Sequence, residues 1–423
     1  MASSTFDLIA EWLPASAARY GVDLSLVLAP FDQLAQEALN PQSIVNSSDC
    51  DAVLILFDHR WLQLDRPQLA GQDADAMVGQ AVDLVASLAE AVQASGASPI
   101  LPVLATPPEP LFGHMDRRVP GTPRAMINAF NARLIEHVKQ KGYYLLDVAA
   151  MAESVGTRAW FSPMHWNLYK LPFAAEFADV FADGVGRIAG AIRGKSKKCL
   201  VLDLDNTVWG GVVGDDGMEA LKIGQGSPEG EAHLAVQRLA KDLRDRGVIL
   251  AVSSKNEDET ARRPFRDHPD MLLAEDDIAV FQANWVDKAT NLEAIAKTLN
   301  IGVDALVLLD DNPAERAQVR AALPMVGVPE LPGDVSQFAG YLSAASLFEA
   351  VNFSDEDVLR AKSYAENAKR AEVMAKTRDL GDYLSALEMA ISHAPLDARI
   401  HKARGQQGQI DVAERLRDIV SGS

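Results

Sequence analysis

The segment Lys198-Cys-Leu-Val-Leu-Asp203-Leu-Asp205-Asn-Thr207-Val-Trp209-Gly210-Gly211 decides the fold of this chain. The predicted strand Cys199–Leu204 is apolar without a break through Leu202, as a strand buried on both faces requires, and the run ends abruptly in the acid Asp203. Open α/β sheets bind ligands outside the carboxyl ends of their strands, so Asp203 and Asp205 stand where chemistry is placed. Two carboxylates two residues apart can divide labour: one attacks phosphorus, and the other exchanges protons with the leaving group. Carboxylates facing a phosphate need a hard cation, and Mg²⁺ with oxygen ligands is the natural one. An Asp-x-Asp pair alone is common at solvated strand ends, so its weight depends on the polar residues later in the chain.

Three further elements come in order. The strand Val248–Ser253 ends in Ser253-Ser254-Lys255-Asn256, which offers hydroxyls and backbone N–H groups to phosphate oxygens. Lys288 opens a predicted helix, Asp287–Leu299, and can neutralise phosphate and nucleophile together. The strand Ala305–Leu309 ends in Asp310-Asp311-Asn312, a second acidic strand end suited to metal. Further helices are predicted over Gly230–Arg246 and Pro313–Leu323, with a short strand near Met325–Val328. Residues 208–247 separate the acidic pair from the next strand, and the predicted helix fills much of that interval. Little is left for a lid domain, so the site is expected to be open.

The first 190 residues show the same α/β rhythm. Candidate strands are Leu24–Leu28, Val53–Phe57, Ile100–Leu104 and Tyr143–Asp147, with amphipathic helices over Ala76–Ala94 and Pro123–Lys141. The basic run Arg193–Lys198 reads as a linker, and as the best basic patch for an acidic partner. From Ser354 onward there is no strand signal, and Ser354-Asp-Glu-Asp357 has the pattern of a helix start. The reading is α/β: two Rossmann-like parallel-sheet domains in tandem, over 1–192 and 197–345, with a helical extension over 346–423.

The chain has 423 residues, 48% of them apolar and 23% charged, a globular balance too long for one ordinary domain. The net charge of −19 argues against nucleic acid and anionic membranes as partners. There is no uncharged apolar run long enough to span a bilayer, and the start, MASSTFDLIAEWLP, has no basic signal-peptide pattern. Two cysteines, Cys50 and Cys199, make no disulfide framework, and a reducing cytoplasm is the expectation.

The ordered set resembles the haloacid dehalogenase (HAD) superfamily. That resemblance implies Asp203 as nucleophile, Asp205 as acid/base and Lys288 as the phosphate-bridging lysine. It implies Mg²⁺ held by Asp203, the carbonyl of Asp205, Asp310 and also Asp311. Ser253 and Ser254 both remain candidates for the phosphate-binding hydroxyl. Thr207 reads first as a buttress of its loop; with Gly210, Gly211, Ser254, Lys255 and Asn256 it makes up the phosphate-facing set.

The wording is closer still to the FkbH-like family, subfamily IIIC, through KCLVLDLDNTVWGGVVGDDG, AVSSKNE, FQANWVDKATNL, LVLLDDNPAERAQVR and VGVPELP. This likeness is dense from Lys197 to Leu331 and thins toward Trp160–Phe173 and Glu388. It implies a phosphatase and transferase that takes a phosphorylated three-carbon donor, 1,3-bisphosphoglycerate. The glyceryl unit would pass to the phosphopantetheine thiol of an acyl carrier protein in polyketide-type biosynthesis. The family usually carries cysteine where this chain has Ser253, and a hydroxyl needs an activating base that a thiolate does not. A plain Mg²⁺-dependent phosphatase acting on a small phosphoester is therefore the alternative. A non-catalytic carrier-protein binding module is the second alternative, which the set Asp203, Asp205, Lys288 and Asp310 argues against.

The N-terminal part is similar to the degenerate SGNH-hydrolase-like domain that precedes the catalytic domain in this family. It has no Gly-Asp-Ser, and Ser162-Pro-Met-His165 stands where Asp-x-x-His would. His165 and Asp58-His59-Arg60 are read as packing or polar strand-end residues, and the domain as non-catalytic. Trp209, Trp285 and His233 lie near the motifs; the two tryptophans could line the pocket, with core packing the first reading, and His233 has a core or surface place.

Overall fold

The computed structural model describes residues 1–360, 364, 366 and 367. It contains two parallel sheets in succession. The first has the strands β1 (Ala52–Leu54), β2 (Ser98–Val103) and β3 (Tyr144–Asp147) in the order β1-β2-β3. The second has β4 (Cys199–Leu202), β5 (Ile249–Ser254), β6 (Ile278–Ala283) and β7 (Leu306–Leu309) in the order β6-β5-β4-β7. Parallel strands need crossover connections, and helices supply them. The tandem α/β expectation is met.

In the second sheet the side-chain period of two sorts the core. Leu200, Leu202, Leu250, Val252, Val307 and Leu309 pack on one face, around the helix Pro228–Asp245. Cys199, Val201, Ile249, Ala251, Leu306 and Leu308 pack on the other, against Leu292, Ile295 and Leu299 of the helix Lys288–Leu299. Burial on both faces is why β4, β7 and residues 249–252 of β5 read as unbroken apolar runs. The helices start where side chains cap them: Ser227 on the N–H of Gly230 at 3.0 Å, Asp287 on Thr290 at 3.0 Å, and Asn312 on Ala314 at 2.9 Å.

Several expectations are corrected. Leu24–Leu28 forms no strand; it has no regular secondary structure, and Leu26, Val27 and Leu28 are exposed. The outer position beside β1 is taken instead by the chain start, where Ser3 N donates to Leu56 O at 2.9 Å and Leu56 N to Met1 O at 2.9 Å. β6 was not expected: it is an edge strand, and its IAVFQA is only half-buried, whereas the other three are buried throughout. The strand expected near Met325–Val328 reduces to a single bridge of Gly327 beside Val307.

Helix Pro123–Lys141 has the bounds expected of it, and the helix expected over Ala76–Ala94 begins at Gly71. After Ser354 the chain is helical over 355–360, with Asp357 Oδ2 accepting from Ser354 N at 2.8 Å. The rest of the expected helical extension, apart from residues 364, 366 and 367, lies outside the described residues. Among the described residues, no helix is long and apolar enough to cross a membrane.

Candidate active site

The parallel register aligns Leu202 with Val252 on one side and Leu309 on the other. One residue further on, Asp203, Ser253 and Asp310 are neighbours at the carboxyl ends of β4, β5 and β7. They lie on the face that packs against the helix Lys288–Leu299, because each follows a residue of the opposite face. Asp203 N donates to Leu309 O at 2.9 Å, so the ladder still holds at that position.

Lys288 reaches into this row from the first turn of its helix. Its Nζ lies 2.6 Å from Asp203 Oδ1 and 2.5 Å from Asp310 Oδ2, and all three residues are buried. Burial acts to lower the Lys288 ammonium, but Asp203 and Asp310 outweigh it and hold its pKa above the ordinary value. Burial pushes the Asp203 carboxyl up, with Asp310 adding to that push, while Lys288 acts to hold it down. Asp311 is likewise raised, first by burial and then by Asp310.

Asp203, Asp310 and Asp311 present carboxylate oxygens within 4.8 Å of one another. One lysine cannot neutralise three carboxylates, and an all-oxygen donor set of this kind fits a hard divalent cation.

The loops that carry these acids are tied to each other. Thr207 is fully buried; its hydroxyl accepts from Asp311 N at 3.1 Å and donates to Asp311 Oδ1 at 3.4 Å. His233 Nδ1 lies 3.0 Å from Thr207 O, and burial holds this imidazole below its ordinary pKa. The carbonyl can only accept, so the neutral ring carries its proton on Nδ1. Gln237, one turn later, donates to Val208 O at 2.9 Å. Arg316 Nη1 donates to the carbonyls of Asp310 and Asp311 at 2.8 and 2.7 Å.

The sequence reading missed Gln237 and Arg316. Their signal was present only as a polar residue on the apolar face of a helix, which is silent about its partner.

Asp205 stands apart from the acidic group. Its Oδ1 accepts from Trp209 Nε1 at 2.9 Å and Val213 N at 3.1 Å, and its Oδ2 from Asn256 Nδ2 at 2.7 Å. Its carboxylate is therefore not among the clustered carboxylate oxygens, and the metal role expected of Asp205 rests on its carbonyl. Asn256 Nδ2 also donates to Ser254 Oγ at 3.1 Å, which places Ser254 on the Asp205 side. Ser253 Oγ is buried without a hydrogen-bond partner. Of the two serines, Ser253 is thus the neighbour of Asp203.

Lys255 does not join the site: its Nζ pairs with Glu315 at 2.5 Å. Gly210 and Gly211 are loop-packing residues. A Cβ on Gly210 would meet His233 Nε2 and Lys222 Cβ at 3.0 Å, and Gly211 has φ +94°. Trp209 is fully buried against Phe265, whereas Trp285 is 77% exposed, contrary to the packing expected of it.

The polar groups of the first sheet are used locally. Asp58 accepts from the N–H groups of Arg60 and Trp61, both at 3.0 Å, and pairs with the Arg60 guanidinium at 2.7 Å. His59 is buried edge-on to Phe161. Ser162 caps its helix by accepting from His165 N at 3.2 Å, and His165 Nδ1 accepts from Ala175 N at 3.1 Å.

A parallel sheet with acidic ends on adjacent strands, a buried lysine bridging them and a hydroxyl on the third strand defines the haloacid-dehalogenase-like phosphatase fold. No family model matches the chain. It is similar to the N-terminal part of BF1531 from Bacteroides fragilis, whose crystal structure contains a phosphatase domain complexed with Mg. The two share 32% identity with a TM-score of 0.78, over 83% of this chain and 93% of that one. The chain belongs to the same family as that phosphatase-domain protein.

Proposed function

We propose that this chain is a Mg²⁺-dependent phosphatase acting through an aspartyl-phosphate on Asp203. The observation that carries the proposal is the convergence of Asp203 and Asp310 on Lys288 at 2.6 and 2.5 Å, with Asp311 in the same oxygen cluster. A Mg²⁺-bearing phosphatase-domain relative supports it.

Asp203, Asp310 and Asp311 would hold the cation, which shields the phosphoryl oxygens from the carboxylates. The Asp203 oxygen forms a bond to phosphorus as the bond to the leaving oxygen breaks. Lys288 steadies the charge that develops, and Asp205 delivers a proton to the leaving oxygen. To do so Asp205 must exchange one of its present donors, Asn256 being the one that a side-chain rotation can release. Water then attacks the aspartyl-phosphate, and Asp205 takes the proton back. Ser253, unpartnered beside Asp203, is the hydroxyl available to a phosphoryl oxygen.

The direct test is phosphate release from a panel of phosphoesters, with Mg²⁺ and with EDTA. Activity should vanish in EDTA and return with Mg²⁺. Turnover indifferent to EDTA would sink the proposal.

A finer reading adds transfer: 1,3-bisphosphoglycerate as donor and a phosphopantetheinylated acyl carrier protein as acceptor. The open edge favours it, since the interval 208–247 holds the helix Pro228–Asp245 and no separate sheet. The buried Ser253, in the place of a relay cysteine and with no base bonded to it, weighs the other way. Intact-mass spectrometry of the carrier after incubation with protein, Mg²⁺ and donor separates the readings. A glyceryl adduct establishes transfer, and phosphate release with an unmodified carrier leaves hydrolysis. In this proposal residues 1–192 are a non-catalytic scaffold.

A further inference from the structure

The loops at the carboxyl ends of the four strands of the second sheet, residues 203–227, 255–257, 284–287 and 310–312, are polar or tucked in, with one exception. Among their described residues, the exposed large apolar side chains are Trp285 and Val286, at 77% and 44%. They are adjacent, and they sit between the end of β6 and Lys288.

This loop is firmly held. Asn284 and Asn291 exchange side-chain amide hydrogen bonds at 3.1 Å each, Asn284 N donates to Ser254 O at 3.1 Å, and Val286 N donates to Asn284 Oδ1 at 3.0 Å. Asp287 then caps the lysine helix. The bracing bonds flank Trp285, whose side chain is 77% exposed on this held loop. Exposed tryptophans in fixed positions are characteristic of recognition surfaces, because the ring offers a large contact area at little entropic cost.

Trp285 is three residues from Lys288, so its Cα lies within about 11 Å of that residue's Cα by chain length alone. In-line displacement at phosphorus puts the leaving oxygen opposite the attacking Asp203, directed away from the strand ends toward these loops. The body of the substrate therefore has to pass among them, and among their described residues the exposed large apolar side chains are Trp285 and Val286.

We infer that Trp285 is a specificity-determining residue that receives the non-reacting part of the substrate, and that the preferred substrates are phosphoesters bearing an apolar ring or chain. The inference rests on the phosphatase reading of the same site. Trp285 takes no part in bond making or breaking.

The test compares two primary alkyl phosphates, glycerol 3-phosphate and 4-phenylbutyl phosphate, with the unaltered protein, Trp285→Ala and Trp285→Phe. Trp285→Ala should lower kcat/KM for the phenylbutyl ester about tenfold, mainly through KM, and Trp285→Phe should restore most of it. The glycerol ester should change by less than about twofold. An equal loss on both esters, or no loss on either, overturns the inference.

Binding of 4-phenylbutyl phosphate, measured by calorimetry with Mg²⁺ in the Asp203→Asn background with and without Trp285→Ala, decides the point independently of turnover. No Mg²⁺-dependent phosphate release from any member of the phosphoester panel defeats the phosphatase reading, whereas equal affinity in the two backgrounds, or binding in neither, defeats the role of Trp285.

Discussion

The two sheets place polar residues at the same kind of edge and use them in opposite ways. At the carboxyl end of the first sheet, Asp58 is spent on its own turn and on Arg60, and Asp147 caps the next helix through Ala150 N at 2.9 Å. At the carboxyl end of the second, Asp203 and Asp310 meet on a single lysine with Asp311 beside them, and the Ser253 hydroxyl has no hydrogen-bond partner. Position at a strand end is shared by both. What separates a site from a turn is functional groups that converge while keeping bonding capacity in reserve.

The comparison can be broken most severely at Asp203. Asp203→Asn keeps the shape and removes the nucleophile, so phosphate release should fall by at least about a thousandfold with an unchanged circular dichroism spectrum. Retained activity would dissolve the distinction between the two edges.

Next in size is Lys288→Met, which leaves buried carboxylates uncompensated. Denaturant unfolding in EDTA should show a loss of about 3–5 kcal/mol. Added Mg²⁺ should recover part of it, because the cation replaces the missing positive charge.

The first sheet offers the complementary test. Burial pushes His59 down to about 4, against the raising effect of Asp58. Its pKa is lower folded than unfolded, so the unfolded chain binds more protons between pH 4 and 6.5. Stability should therefore fall as the pH drops through that window, by on the order of 3 kcal/mol from this residue. Unfolding titrations of the unaltered protein and of His59→Phe should diverge there, and parallel curves would count against the buried neutral imidazole.

The smallest effect belongs to His165→Ala, which should leave phosphate release within about twofold, as expected away from the chemistry. A large loss would make the first sheet a participant.

Much of the second sheet was readable in the sequence because its strands are buried on both faces and end in acid. Asp203 and Asp310 could be placed from their strand ends, since register brings these together, whereas Lys288, at a helix start, is assigned its place through the family resemblance. β6 escaped notice because an edge strand is only half-buried. Leu24–Leu28 misled for the opposite reason: an apolar run states what a strand would need but does not supply a neighbour to pair with. Lys255, adjacent to two well-placed serines, pairs with Glu315, and Asp205 is held by Trp209, Val213 and Asn256. The direction of a side chain beyond the end of a strand is set by partners far away in sequence, and a linear motif does not contain them.

Thr207 binds Asp311 through both its hydroxyl lone pair and its proton, and His233 pins the same residue from behind. The two acidic loops are thereby fastened into one unit, while the loop of Trp285 is fastened to a different anchor, the Asn284–Asn291 pair. The bond-breaking carboxylates and the exposed Trp285 are thus held by different anchors, although Lys288 follows Trp285 by only three residues. Descendants of this protein can drift in what they accept by rewriting residues 285 and 286, without retuning the machinery that breaks the bond, and a protein engineer can begin in the same place.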